Sequence, residues 1–437
     1  MVTLINNIKK IKNPYIIFFP FLLFYFLIVL KSPTQGIYGD ERRYLIFAEN
    51  LIHGYYSTPA PEFNLWNGPG YPIALTPFVF FHLPLICITL FNAILYYLAL
   101  TLFFKTLQKF FSFKVTLAVS LIWACYINSF GEMKFIYSEI LSCFLVSLIL
   151  YCLVNAFTEE RKSKIFAIFA GIAIGYIVLT KVIFGYVLLF ILTSMIILWL
   201  INRKKLNHRR GLLIAVIALF TISPYLMYTY QLTGKVYYLG NSGGMSLYWM
   251  SSPYDNELGD WCHSRNIYQS DVSNSKIDAD KKTIPGFTNY LYANHAKDYE
   301  QLDQYYGFKR DDLYKKLAIQ NIKAHPVKYL KNCISNMERL FFSFPYSYTL
   351  QHNILQLAIN GPLVLLMFFS LFLTIKNWLK ITFPIKFIIL FGILYLAFTI
   401  MVSAYARMFT VIMPLMLFWV TFIMQRAIKV KLRFNEP

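Results

Sequence analysis

The chain has 437 residues, of which 57% are hydrophobic, 19% are aromatic and only 14% are charged. Its mean hydropathy of +0.51 is far above that of ordinary globular proteins, which excludes a single soluble core. A net charge of +20 would favour nucleic acid binding in a soluble protein, but here the basic residues alternate with apolar runs as in membrane proteins. We therefore predict no nucleic acid partner.

Apolar runs recur along the chain with the length that a helix needs to cross hydrocarbon, roughly 20 residues. We expect the first run to be retained as a span, because no small-residue cleavage site follows Leu30. The predicted fold class is an all-α polytopic membrane protein with about ten transmembrane helices. They lie near residues 14–31, 84–104, 115–130, 137–157, 165–180, 182–201, 211–230, 353–375, 385–404 and 408–425.

The basic residues indicate the orientation of these spans. Lys9, Lys10 and Lys12 precede the first run, so the positive-inside rule predicts a cytoplasmic N-terminus. The later basic segments fall on the same side: 105–114, 161–164, 203–210, 376–380 and 426–433. We predict a multi-pass protein of the cytoplasmic (inner) membrane with both termini in the cytoplasm.

Two connections are too long to be simple turns, and this topology places both outside the membrane. They divide the chain into an N-terminal membrane domain, residues 1–232, an extracytoplasmic loop domain, residues 233–351, and C-terminal transmembrane helices with a cytoplasmic tail, residues 352–437. The first outer loop, residues 32–72, contains apolar residues at helical spacing, which predicts a helix on the membrane surface that starts at Asp40. The second is predicted to be mostly helical, with two helices from about Asp311 separated by Pro326.

Several site types are absent from the sequence, including phosphate-cradling glycine loops and a zinc-protease motif. Asp278 and Asp280 form a DxD motif, which we interpret as part of a solvated loop because nucleotide sugars are not expected outside the membrane. The sequence leaves open whether Cys262 and Cys333 pair.

Ionisable residues cluster at the predicted outer ends of the spans and are scarce in the middle of the membrane. They are Asp40, Glu41, Glu132, Glu139, Lys181 and Arg407. Coupled transport usually needs charges deeper in the membrane. Carboxylates and cations at the outer interface suit group transfer from a lipid-borne substrate instead.

Short motifs spread over most of the chain resemble those of GT-C glycosyltransferases, and are most similar to protein O-mannosyltransferases and aminoarabinose transferases. They comprise Tyr38 to Tyr44, Ala48, Leu51 and Gly54, Gly68 to Pro72, Gly171, Gly175 and Leu179 to Lys181, Gly243, Gly244, Leu247 and Tyr248, His325, Pro326, Tyr329 and Leu330, and Arg407 with Pro414. The order of the motifs is more specific than any one of them.

The resemblance implies an inverting enzyme that moves a sugar from a polyprenyl-phosphate donor to an extracytoplasmic glycolipid, polysaccharide or protein. Asp40 is the predicted general base, assisted by Glu41 and Glu139, while Lys181 and Arg407 contact the donor phosphate. A divalent cation is left open, with Glu41 and Glu139 as its ligands if one takes part. The partners implied are this donor, the acceptor and membrane lipid.

Each of these residues also has a structural alternative. Asp40 could be the N-cap of the surface helix, Glu41 and Glu139 could be helix-start acids, and the two cations could extend towards lipid headgroups. A lysine that some relatives carry is absent from the stretch 66–70, which weakens any assignment of an aminoarabinose donor.

Two other functions remain open from the sequence. An O-antigen polymerase or ligase would depend on basic residues of the late loop, such as Arg265 and Arg339. A lipid-sugar flippase or other transporter would use the large loop as a gate rather than a lid.

Overall fold

The computed structural model describes residues 13–32, 37–58, 63–262, 287–344 and 350–427, and within these ranges its regular structure is helical. Asp278, Asp280 and Arg265 lie outside them. In chain order the helices are α1 Pro14–Ile17, α2 Phe19–Leu30, α3 Asp40–Ile52, α4 Gly70–Phe80, α5 Leu85–Leu107, α6 Phe113–Ala124, α7 Ile127–Met133, α8 Glu139–Thr158, α9 Ser163–Thr180, α10 Ile183–Ile201, α11 Leu206–Thr233, α12 Gly243–Met250, α13 Phe287–Leu302, α14 Gly307–Ala324, α15 Pro326–Phe342, α16 Leu350–Lys376, α17 Phe383–Val402 and α18 Ala406–Ala427.

Within the described residues, eight helices are long and apolar enough to cross a membrane, or nine if α6 and α7, which meet at 50°, form one bent span. The all-helical, multi-pass prediction is confirmed. Each of the ten predicted spans contains a helix, but the first region holds only the 12-residue α2 after the short α1, so the number ten is approximate. Helix α2 is shorter than the roughly 20 residues that hydrocarbon requires.

Helices α8 and α18 form the centre of the bundle. Of the candidate spans they are the most buried inside the protein, and α8 packs against α5, α9 and α18. Both helices begin at the same end of the bundle, where Glu139 and Arg407 meet. Charged residues on two central helices are thereby held by a well-packed core.

Close packing of α9 against α11 depends on two glycines. A Cβ atom on Gly171 would lie 2.6 Å from Cβ of Ile217, and one on Gly175 would lie 2.5 Å from Cβ of Thr221. A side chain of any size would force these helices apart. The interpretation of this GxxxG pair as a packing motif is therefore confirmed.

The helix predicted in the first long connection is α3, which begins at Asp40 as expected, while its location on the membrane surface stays a prediction. Its buried face contains Tyr44, Phe47 and Ala48, as the helical spacing predicts. Helix α4, which packs against α3, was not predicted as an element of its own. Two prolines, Pro72 and Pro77, lie within its eleven residues and obscure the helical pattern.

The large loop between α11 and α16 contains helices α12 to α15. Pro326 is the first residue of α15 and separates it from α14, as predicted. A small core of its own, including Tyr248, Leu291 and Tyr299, joins α12, α13 and α14. Cys262 and Cys333 are not joined by a disulfide bond.

Candidate active site

The predicted catalytic and phosphate-binding residues come together at one end of the bundle, although they belong to four separate segments. Asp40 begins α3, Glu139 begins α8, Lys181 follows α9, and Arg407 lies in the first turn of α18. Arg407 links two of them, because its Nη2 atom donates to Oδ2 of Asp40 at 2.9 Å and its Nε atom lies 3.6 Å from Oε1 of Glu139.

Asp40 is held between two arginines. Its Oδ2 atom accepts from Arg407, and its Oδ1 atom accepts from Nη2 of Arg43, one turn further along α3. Burial favours the neutral carboxyl, but the charges of Arg407 and Arg43 outweigh it and hold the pKa of Asp40 below its ordinary value. Asp40 is therefore a carboxylate at neutral pH, able to accept a proton.

Asp40 is not the N-cap of α3, the alternative role that the sequence allowed. The cap residue is Gly39, at a φ of +54°, and no side chain caps the helix by a hydrogen bond. Asp40 is instead the first helical residue, and its two oxygens face arginines, which are stronger partners than a backbone N–H.

Glu139 is almost fully buried and lies at the N-terminus of α8, where negative charge is stabilised. Its Oε1 atom accepts from Nζ of Lys181 at 3.0 Å. Its Oε2 atom is also buried and has no hydrogen-bond partner among the residues that the structure describes. One oxygen of Glu139 therefore orders the cations, while the other has unused acceptor capacity.

In the described part of the chain, Glu41 does not pair with the arginines that bind Asp40. Its Oε1 atom accepts a hydrogen bond of 2.9 Å from the backbone N–H of Ile136, just before α8. This buried bond fastens α3 to the segment that leads into α8. The contact gives Glu41 a positioning role, and its assistance in catalysis stays a prediction.

Sequence reasoning missed Arg43, which donates both to Asp40 and, at 2.7 Å, to Oδ1 of Asn67. Its spacing of three residues from Asp40 on one helix was the available signal, because such residues are neighbours on a helix surface. Glu132 is another ionisable residue to which the sequence assigns no role. Its carboxyl interacts electrostatically with Glu139, Arg407 and Lys181, so it belongs to the same group.

The glycines near the end of the first long connection bring backbone segments together beside this cluster. A Cβ atom on Gly68 would lie 2.1 Å from the carbonyl oxygen of Leu179, and one on Gly70 would lie 2.4 Å from Oγ1 of Thr180. Lys181 follows directly. The absence of side chains at these glycines thus lets the loop pack against the end of α9.

Arg339, which the polymerase alternative invoked, has a different environment. It is buried in α15, where it donates to Oδ1 of Asn336 at 2.6 Å and to the carbonyl of Leu258 at 3.0 Å. Its contacts join α15 to the segment before residue 263. Arg339 is thus buried among protein groups, whereas Arg407 is partly exposed.

In the described ranges, no group of three His, Cys, Asp or Glu residues is arranged to hold a metal ion. Of the two predicted cation ligands, Glu139 contacts Lys181 and Arg407, and Glu41 accepts from a backbone N–H. All three partners place a proton or a positive charge where a metal ion would have to bind.

Comparison with solved structures reveals the fold. The chain resembles the Archaeoglobus fulgidus oligosaccharyltransferase tethered with an acceptor peptide containing the NVT sequon, with a TM-score of 0.50 and 13% identity over 94% of this chain and 49% of that one. This chain has the GT-C fold. It spans about half the length of that oligosaccharyltransferase.

Two further structures match less closely than this one in TM-score. ArnT from Cupriavidus metallidurans bound to undecaprenyl phosphate has a TM-score of 0.42 and 12% identity, covering 94% of this chain and 78% of ArnT. AglB from Archaeoglobus fulgidus in complex with an inhibitory peptide and a dolichol-phosphate has a TM-score of 0.46 and 12% identity, covering 95% and 52%. No family model and no curated protein sequence matches the chain.

Proposed function

We propose that this GT-C protein is an inverting glycosyltransferase that moves a sugar from a polyprenyl phosphate to an acceptor on the outer face of the cytoplasmic membrane. The observation that carries the proposal is the position of Asp40, a carboxylate held at the end of the bundle by Arg43 and Arg407. Glu139 and Lys181 extend the same group of charges.

In the proposed reaction, an acceptor hydroxyl oxygen attacks the anomeric carbon as the bond from that carbon to the phosphate oxygen breaks. The hydroxyl proton passes to Asp40, and the bonding electrons leave with the phosphate. Because two arginines lower the basicity of Asp40, it takes the proton late, when the new bond has made the hydroxyl strongly acidic. Attack opposite the leaving group inverts the anomeric centre.

Arg407 and Lys181 are the proposed stabilisers of the phosphate as its negative charge grows. Both are only partly buried, so a phosphate can approach them from the lipid or the solvent. Arg407 offers the planar fork that binds phosphate oxygens best. Glu139 holds both cations in place through its Oε1 atom.

Asp40→Asn tests this proposal in a strain that lacks the gene and is complemented with each variant. We expect the wild type to restore a sugar on a surface glycan or glycoprotein, detected by mass spectrometry, and Asp40→Asn to reduce that product by about 10²-fold to 10⁴-fold. Asp312→Asn is the matched control, because Asp312 pairs with Lys235 in the large loop. Normal glycosylation by Asp40→Asn at equal membrane abundance would overturn the mechanism.

Reconstitution in liposomes separates this function from transport. Covalent appearance of sugar on an acceptor supports the transferase. Movement of unaltered lipid-linked sugar across the bilayer, without transfer, would instead identify the flippase alternative.

A further inference from the structure

A cavity of about 260 Å³ lies beside the catalytic cluster, between the first long connection and the large loop. Its lining includes Arg43, Trp66, Asn241, Trp261, Arg310 and Asp311. Arg43 belongs both to this lining and to the pair that holds Asp40. The cavity therefore adjoins the proposed base.

We propose that this cavity binds a sugar ring of the acceptor, so that the acceptor is a saccharide rather than a peptide or a bare lipid phosphate. This inference rests on the proposed function and narrows its substrate class.

The two oxygens of Asp40 face different partners, and this distinguishes an acceptor side from a donor side. Oδ2 contacts Arg407, which also meets Glu139 in the proposed phosphate site. Oδ1 contacts Arg43, which lines the cavity. A base between donor and acceptor has this geometry, because the attacking hydroxyl must approach from the side opposite to the leaving phosphate.

Two indole rings give the cavity its walls. The centroids of Trp66 and Trp261 are 6.5 Å apart, and their planes meet at 75°, so the rings form a corner. The C–H face of a pyranose carries partial positive charge and packs well on the negative face of an aromatic ring. Cavities for drug-sized ligands are larger, about 300–1,000 Å³, so this one suits a single ring.

Polar groups at the same cavity match the hydroxyls of a sugar, which both donate and accept hydrogen bonds. Oδ1 of Asn241 is a buried acceptor without a hydrogen-bond partner in the described part of the chain. Arg310 supplies donors from a fixed position, because Asp303 pairs with it and its guanidinium lies 5.7 Å from the ring centroid of Tyr314. An unpaired buried acceptor costs free energy that a ligand donor would recover.

The corner formed by the two indole rings is held by the connection between α17 and α18 as well as by the large loop. The backbone N–H of Trp261 donates to Oδ1 of Asp260 at 2.8 Å, and the hydroxyl of Tyr405 donates to the same oxygen at 2.7 Å. Tyr405 lies two residues before Arg407. The wall of the cavity and the proposed phosphate contact are thus fixed by one short segment.

Saturation-transfer NMR on the full chain in lipid nanodiscs tests the proposal without any donor. The probes are methyl glycosides of glucose, galactose, mannose, N-acetylglucosamine, rhamnose and glucuronic acid, together with a blocked serine tripeptide. We expect at least one glycoside to bind and the tripeptide not to bind. Binding of the tripeptide alone, or of no glycoside, would overturn the inference.

Variants locate the binding. Trp261→Ala and Trp66→Ala should each weaken glycoside binding about tenfold, whereas Trp261→Phe, which keeps an aromatic face, should retain most of it. Asn241→Leu should weaken it about threefold to tenfold. Trp199→Ala is the matched control, because Trp199 is a partly exposed tryptophan that stacks with Arg203 outside this cavity. Unchanged binding in both tryptophan-to-alanine variants would overturn the site.

Competition distinguishes acceptor from donor sugar. Citronellyl phosphate without a sugar, an analogue of the donor lipid, should not displace the methyl glycoside, and displacement would assign the cavity to the donor. If the glycoside binds as expected while the complemented strain transfers no sugar, the proposed function fails and the saccharide site stands.

Discussion

Two groups of charged side chains in this protein differ in how completely they use their hydrogen-bonding capacity. In the large loop, Glu257 accepts from Asn294 at 2.7 Å and from Ser252, and Nε2 of His295 lies 3.0 Å from both of its oxygens. Near Asp40, by contrast, the second oxygens of Glu132 and Glu139 have no hydrogen-bond partner among the described residues. The loop cluster is saturated, and the cluster at the end of the bundle is not.

The hydroxyl of Tyr248 extends the loop cluster, because it donates to Asp298 at 2.7 Å and lies 2.6 Å from Nδ1 of His295. Nδ1 and Nε2 of His295 therefore both have partners within this cluster. A charge network whose hydrogen bonds are all made within the protein has a structural role, whereas unused oxygens beside partly exposed cations can still interact with a substrate.

Among the variants below, we expect replacement of Arg407 to have the largest effect on the rate of sugar transfer. Arg407→Gln should lower transfer by about 10²-fold to 10³-fold, because it removes a cation from the developing phosphate charge. Arg407→Lys should retain part of the activity, since it keeps the charge but loses the planar fork. The measurement is the initial rate with saturating donor in proteoliposomes. A rate within twofold of wild type in Arg407→Gln would contradict this role.

Lys181→Met should have a smaller effect on transfer, about tenfold, because Arg407 remains to face the phosphate. Lys181 also neutralises the buried Glu139, so the double variant Lys181→Met with Glu139→Gln should fold better than Lys181→Met alone. Thermal unfolding followed by size-exclusion chromatography checks the second expectation. Equal stability of the single and double variants would mean that the ion pair contributes little.

Glu257→Gln should destabilise the large loop by about 1–3 kcal/mol and leave the rate per folded molecule unchanged. Burial raises the pKa of Glu257, but the hydrogen bond and charge of His295 outweigh it and hold that pKa below its ordinary value. The resulting stabilisation is present at neutral pH and is lost as the pH falls below about 4.3 towards the lowered pKa. Hydrogen exchange of α13 at pH 7 and pH 4 measures this, and equal protection at the two pH values would refute it.

Glu41→Gln should have the smallest effect, because glutamine keeps the oxygen that accepts from Ile136. Glu41→Ala leaves that buried N–H unpaired and should cost about 1–3 kcal/mol of stability. Comparing melting temperatures and transfer rates of the two variants separates a positioning role from a chemical one. A large loss of transfer rate in Glu41→Gln with normal stability would show that Glu41 takes part in the chemistry.

The sequence predicted where the long spans lie, because apolar runs of about 20 residues, such as Ile183–Ile201, are typical of transmembrane helices. It failed for α13, whose residues Phe287–Leu302 are mixed in polarity and become a helix through packing in the large loop. It placed Asp40, Glu139, Lys181 and Arg407 in one site by resemblance. Helical spacing suggests the contact between Arg43 and Asp40, but nothing local could show that Arg43 also binds Asn67, because that contact depends on how two separate segments fold together.

The bond from Tyr405 to Asp260 has a consequence for any redesign of the proposed acceptor cavity. A large loop transplanted from another GT-C protein would bring its own cavity walls, but it would lack the aspartate that accepts from Tyr405, just before α18. Chimaeras that keep an aspartate opposite Tyr405 should therefore retain a correctly set Arg407, and those that lose it should lose catalysis along with specificity.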